Sequence, residues 1–89
     1  GKPVKTELTV VSNLSEYFND SKRSHYLCAS PDGLYIIVRD CRRDKNMRIL
    51  ANDKVTVYGL GAGVTDLYST EISLSECPVI NMYSVGIEK

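Results

Sequence analysis

Two short apolar segments, SHYLCAS and GLYIIVRD, are joined through Pro31-Asp32-Gly33. No other stretch limits the fold as strongly. Proline pre-sets one turn dihedral and glycine accepts positive φ, so the chain must reverse between two strands. LYIIV, without a polar break, predicts a strand covered on both faces. TELTVV (residues 6–11) alternates β-branched and polar residues and reads as a strand. DKVTVYG reads the same way, with Val55 and Val57 set against Thr56 and Tyr58. PVINMYSVGIE predicts a closing strand, with Pro78 at its start, where a missing amide proton does least harm.

The intervening segments are less regular. In NLSEYFND, Asn13 and Glu16 have helix-capping spacing, and Leu14, Tyr17 and Phe18 share one helical face. One or two helical turns, or a loop pinned by Tyr17 and Phe18, are expected there. CRRDKNMRILAN predicts a polar loop whose Met47, Ile49 and Leu50 tuck inward. VTDLYSTEISLSE fits either a strand or a long loop anchored by Leu67, Ile72 and Leu74. The expected fold class is all-β: about five strands with one short helical element, closed or nearly closed as a small barrel.

Eighty-nine residues allow one domain with one modest core. The first residues, GKPVKTELTV, resemble neither a signal peptide nor a natural start, so residues 1–89 are expected to be one domain of a longer protein. No apolar run approaches the roughly 18 residues of a membrane span, so membrane insertion by this domain is not expected. Eleven basic and eleven acidic side chains balance, but residues 39–48 carry five bases and two acids, a net of +3. Residues 55–89 carry four acids and one base, a net of −3. The surface is therefore polarised without the global positive field of a non-specific nucleic-acid binder.

NDKVTVYG resembles the G-D-x-V-x-V-x-G strand of bacterial OB-fold domains, with Asn52 at the leading glycine. LSECPVINMYSVGIE resembles the closing strand of the tRNA-anti-like group of those domains, and HYLCASPDGLYIIV is consistent with their second and third strands. The resemblance covers roughly the C-terminal half and implies a five-stranded OB-like Greek-key barrel with a binding face. It also implies a bacterial cell-envelope or otherwise extracytoplasmic setting, and no reaction.

The candidate sites follow from chemistry. In YGLGAG the glycines are spaced G-x-G-x-G, not the G-x-G-x-x-G of a dinucleotide turn, and no helix-forming segment follows. Gly59, Gly61 and Gly63 are expected on one strand face, bending the barrel and cradling no phosphate. Tyr26 and Tyr35 lie on the second and third strands, where exposed aromatics of an OB barrel stack bases. The plainer alternative has tyrosines plugging barrel ends with their hydroxyls in water. Arg39, Arg42 and Arg43 head a basic loop able to contact an anion, although Asp40 and Asp44 partly neutralise it. Tyr26, Tyr35, Arg39, Arg42 and Arg43 are thus the candidate ligand-binding residues.

Cys28, Cys41 and Cys77 lack zinc-ligand spacing, so no metal or cofactor is expected. They are read as buried apolar residues, with one disulfide left open. His25 is the single histidine, and as a strand neighbour of Ser24 it points to the opposite face. No paired carboxylates suggest acid–base chemistry, so no catalytic residue is expected. The reading favours a non-catalytic module contacting protein or a small ligand, with single-stranded oligonucleotide binding as the alternative.

Overall fold

The structure is a computed structural model that describes residues 2–14, 23–43, 48–68 and 73–88. It contains five strands: β1 (Pro3–Asn13), β2 (His25–Ala29), β3 (Tyr35–Asp40), β4 (Lys54–Tyr68) and β5 (Ser73–Glu88). No helix occurs among the described residues. The helical element expected near residues 13–20 falls mostly on residues 15–22, outside the described residues. Asn13 itself is the last residue of β1.

The β2–β3 hairpin forms as its turn chemistry demands. Gly33 N–H donates to Ser30 O at 2.9 Å and Ser30 N–H to Leu34 O at 2.8 Å, closing a three-residue loop. Gly33 takes φ 85°, the left-handed position such loops reserve for glycine. A second turn precedes β4, where Asn52 takes φ 73° and donates its N–H to Val10 O at 2.7 Å. Asparagine is among the few L-residues that visit this region readily. Asp53 secures the turn by accepting the Leu50 N–H on Oδ2 at 2.9 Å.

The strands form one mixed sheet that closes on itself in the order β1-β2-β3-β5-β4. β1 serves two neighbours: residues 3–9 pair with β4 and residues 9–13 with β2, with an irregularity between Val10 and Ser12. Every pairing is antiparallel except β3 with β5, which run parallel from Ile37↔Val79 to Asp40↔Met82. Strand alternation sends Leu8, Val10, Tyr26, Cys28, Val38, Val55, Val57, Ile80, Met82 and Val85 into the ring, with Ile49 packed against them. Val57 and Met82 are wholly buried, each side chain contributing about 1.5–3 kcal/mol relative to exposure. The interior void is about 10 Å³, at most one water's worth of space, and its lining is apolar, so the ring interior is packed and dry.

Strands β4 and β5 are longer than expected. VTDLY belongs to β4 and SLSEC to β5, which meet as a hairpin through Leu67↔Leu74 and Tyr68↔Ser73. Pro78 consequently lies inside β5 and not at its start. Three irregularities bend this hairpin, between Tyr58 and Gly59, Gly61 and Val64, and Thr65 and Leu67. The second breaks the expected alternation, so Gly63 does not share a face with Gly59 and Gly61.

The glycines act by different means. A Cβ on Gly59 would overlap the Asn81 carbonyl oxygen and sit 2.8 Å from its carbon and 3.0 Å from Met82 Cα. These are backbone atoms of a paired strand and cannot step aside. Gly63 has open space around it but takes φ 83°, whereas Gly61 has neither constraint. In urea unfolding, Gly59→Ala is expected to lose about 2 kcal/mol or more by overpacking. Gly63→Ala should lose about 1 kcal/mol by backbone strain, and Gly61→Ala should stay within about 0.5 kcal/mol. Equal stability of all three variants would refute the bending role.

Candidate functional site

The closed ring has an outer face, and the register across β2, β3 and β5 decides which side chains occupy it. Tyr26 pairs with Val38, which pairs in turn with Ile80, and all three point inward, while Leu27, Ile37 and Val79 point outward. Tyr26 is 8% exposed and belongs to the interior, so it is not available for stacking. Tyr35 is 44% exposed at the start of β3, on the outward side with Ile37 and Arg39. The two tyrosines therefore lie on opposite faces of the β2–β3 pair and do not form a shared platform.

The basic segment divides in the same way. Arg42 grips Asp40 with a two-pronged contact, Nε to Oδ1 and Nη2 to Oδ2 both at 2.9 Å, and its own N–H donates to Oδ1 at 3.1 Å. The side chains of Arg42 and Asp40 are 7% and 2% exposed. This pair ties the segment after β3 down at the end of the ring and withdraws Arg42 from solvent. Arg39 is half-buried, and its Nε donates to His25 Nε2 at 3.4 Å. Arg43 and Arg48 are exposed, and Lys45 lies outside the described residues. Tyr35 and Arg39 sit on one side of β3 four residues apart, about 13 Å at strand rise. The five candidate residues are thus not brought together into one site.

The outward side of β2 and β3 is itself largely covered. Leu27 and Ile37 are each 1% exposed, packed with Leu14, Leu67, Cys77, Val79 and Leu74 in a second apolar cluster. The cover comes from the chain just past β1 and from the far half of the β4–β5 hairpin. Pairing of β1 with β4 ends at Leu60, and a last bond runs from Gly61 N–H to Lys2 O at 3.0 Å. Beyond it β4 and β5 continue as a two-stranded arm. The inward side of that arm carries Leu67, Leu74 and Cys77 onto the face.

A groove opens beside this cover. The β3–β5 ladder starts at Ile37↔Val79, and extending it backwards would require an amide proton from Pro78 to bond Tyr35 O. Proline has none. The Cys77 thiol donates to Tyr35 O instead, at 3.4 Å, and the strands part. The resulting groove of about 370 Å³ is lined by residues 33–36 on one wall and 74–78 on the other. Leu34 is 66% exposed at its mouth. Glu76, on the rim, takes φ 53° and donates its N–H to Asp66 Oδ1 at 2.8 Å. Sequence reasoning passed over this groove, although an apolar residue directly after a turn glycine and a proline inside a β run are both visible signals.

All three cysteines are free thiols: Cys28 and Cys77 are buried and Cys41 is half-buried. Burial pushes the Cys28 thiol from 9.0 up to about 12. Burial raises Cys77 as well, partly opposed by a backbone hydrogen bond at Ile37. Among the described residues no group of three or more His, Cys, Asp or Glu side chains could hold a metal ion. No protein-family model, curated protein or solved structure matches this chain.

Three outcomes follow from these buried groups. Arg42→Met removes the two-pronged cationic contact of the buried Asp40 carboxylate and is expected to cost about 3 kcal/mol in urea unfolding. Pairing it with Asp40→Leu should recover most of the loss; no recovery would show that the pair acts by something other than charge. Under a thiol reagent at pH 8, Cys41 should react first, and Cys28 and Cys77 only as fast as the chain opens. Rapid labelling of all three would contradict their burial. The contribution of Cys28 to stability is complete below about pH 9 and is lost as pH rises towards 12, because the unfolded chain releases the proton first.

Proposed function

We propose that this domain is a non-catalytic interaction module built on an OB-type barrel, contacting a protein or small ligand through its outer surface. The observation that carries the reading is the strand order β1-β2-β3-β5-β4 with its single parallel pair, β3 with β5. That order suits a five-stranded Greek-key barrel of the OB type. The turn before β4 adds support. Asn52 stands where the motif G-D-x-V-x-V-x-G has glycine, and it adopts the positive φ a glycine would supply.

An OB-type barrel binds oligonucleotides on its β2–β3 face and adjoining loops. In this chain Leu14, Leu67 and Leu74 pack over that face, and Tyr26 is turned inside. The interior offers about 10 Å³, too little for any ligand. Contact is thereby directed to exposed outer features, and base stacking loses its platform. The reading assigns no reaction: the single histidine shares its Nε2 with Arg39, an arrangement that holds a side chain in place.

The test is a titration of a fluorescent single-stranded oligonucleotide at low and at moderate salt. No saturable binding is expected at either. Saturable binding that weakens steeply with salt, the signature of counterion release, would overturn the interaction-module reading in favour of oligonucleotide recognition.

A further inference from the structure

We infer that the groove opened between β3 and β5 by Pro78 docks an extended peptide segment of a partner protein, one carrying a large apolar side chain beside a lysine or arginine. The inference rests on the interaction-module reading and names the site and partner chemistry within it.

Three features of the groove point there. Its apolar wall is not consumed by folding: Leu34 is 66% and Tyr35 44% exposed, while Ile37, two residues on, is 1% exposed. Its volume of about 370 Å³ accepts one large side chain with its neighbours, at the small end of ligand-site sizes. Its charge is of one sign. Glu76 lies on the rim and Asp32 adjoins it in the β2–β3 turn, both exposed, and among the described residues no lysine or arginine lines it. An anionic ligand would be repelled from this end of the domain, whereas a basic side chain flanking the apolar anchor would meet complementary charge. The parted strands also suit an extended occupant, since the edge of a sheet accepts a further strand through its main chain.

A second depression, about 320 Å³ against β1 and β4, lacks these properties. Glu7, Lys54 and Glu88 mix charges along it, and its apolar residues Leu8 and Val55 are buried. The cationic end of the molecule is also remote, because Arg43 follows the opposite end of β3.

The experiment pans a display library of random ten-residue peptides on the immobilised domain and measures the enriched peptides by fluorescence anisotropy. Enriched sequences are expected to place Phe, Leu or Ile within two positions of Lys or Arg. Leu34→Ser should weaken their binding about tenfold or more, as loss of a central apolar contact does. Glu76→Arg should weaken it about threefold or more, through the reversed rim charge. Arg43→Glu, at the far end of β3, serves as the control and should change it less than about twofold. All three side chains are exposed, and unchanged unfolding midpoints establish that the variants are folded.

No enrichment, enrichment of acidic peptides, or binding indifferent to Leu34 and Glu76 would overturn the inference. So would concentration-dependent self-association of the domain that Leu34→Ser abolishes, because the occupant would then be a second copy of this chain. A peptide that binds elsewhere removes the groove assignment and leaves the module reading standing. Salt-sensitive oligonucleotide binding removes the module reading whatever the peptides do.

Discussion

The parallel pairing of β3 with β5 is the contact on which the rest of the architecture depends. It spans only Ile37 to Asp40 against Val79 to Met82, yet it converts two antiparallel hairpins and a bent β1 into a ring. Without it, β3 and β5 would each present a free edge, and the inward side chains Val38, Ile80 and Met82 would face water. Closure removes edges that would otherwise recruit other chains. It also fixes the register of every outward residue, since a slip of one position would exchange Tyr26 and Leu27 between the two faces. The Asp40–Arg42 pair holds one end of this contact, where Cys41 N–H also donates to Met82 O at 2.8 Å. Pro78 sets the other.

A ring of five strands needs strong local coiling, and the chain supplies it where β4 and β5 run longest. Each irregularity inserts a residue into one strand and turns the ribbon, as bulges do. Gly59 allows β4 to press against the Asn81 backbone, and Gly63 allows a left-handed step beside it. Beyond this bend the ribbon no longer follows β1. It folds across β2 and β3 and buries Leu27 and Ile37 from outside, forming a second apolar cluster. The YGLGAG segment is accordingly part of the architecture, with Gly59 explained by backbone approach and Gly63 by its φ.

Much of the strand content was legible because it rests on local chemistry. Pro31-Asp32-Gly33 sets its hairpin without help from distant residues, and the alternation of Val55 and Val57 with Thr56 and Tyr58 assigns two faces to β4. What the sequence concealed depends on pairing at long range. Tyr26 looks like an exposed aromatic because tyrosine tolerates either environment, and only its register with Val38 and Ile80 places it inside. The extent of β4 and β5 was hidden by bulges that disrupt the two-residue period. Arg42 reads as one of five similar bases, and its commitment to Asp40 depends on how the chain leaves β3. The candidate site suffered most, because its residues were chosen for type and the fold distributed them by face.

A closed sheet with a packed interior and a covered β2–β3 face leaves fewer places where another molecule can gain much by contact. Backbone donors and acceptors are used by the ladders, and the large aliphatic side chains are mostly divided between the two clusters. Any contact of the kind proposed would then concentrate where a ladder is imperfect. The parting of β3 and β5 is such a place: a proline without an amide proton, a thiol standing in as donor to Tyr35, and a leucine left in water after a tight turn. The same missing proton that ends the ring's closing contact also opens an apolar groove beside it. Closure and recognition meet at one residue, Pro78, so a replacement that restored the amide would be free to extend the ladder and narrow the groove.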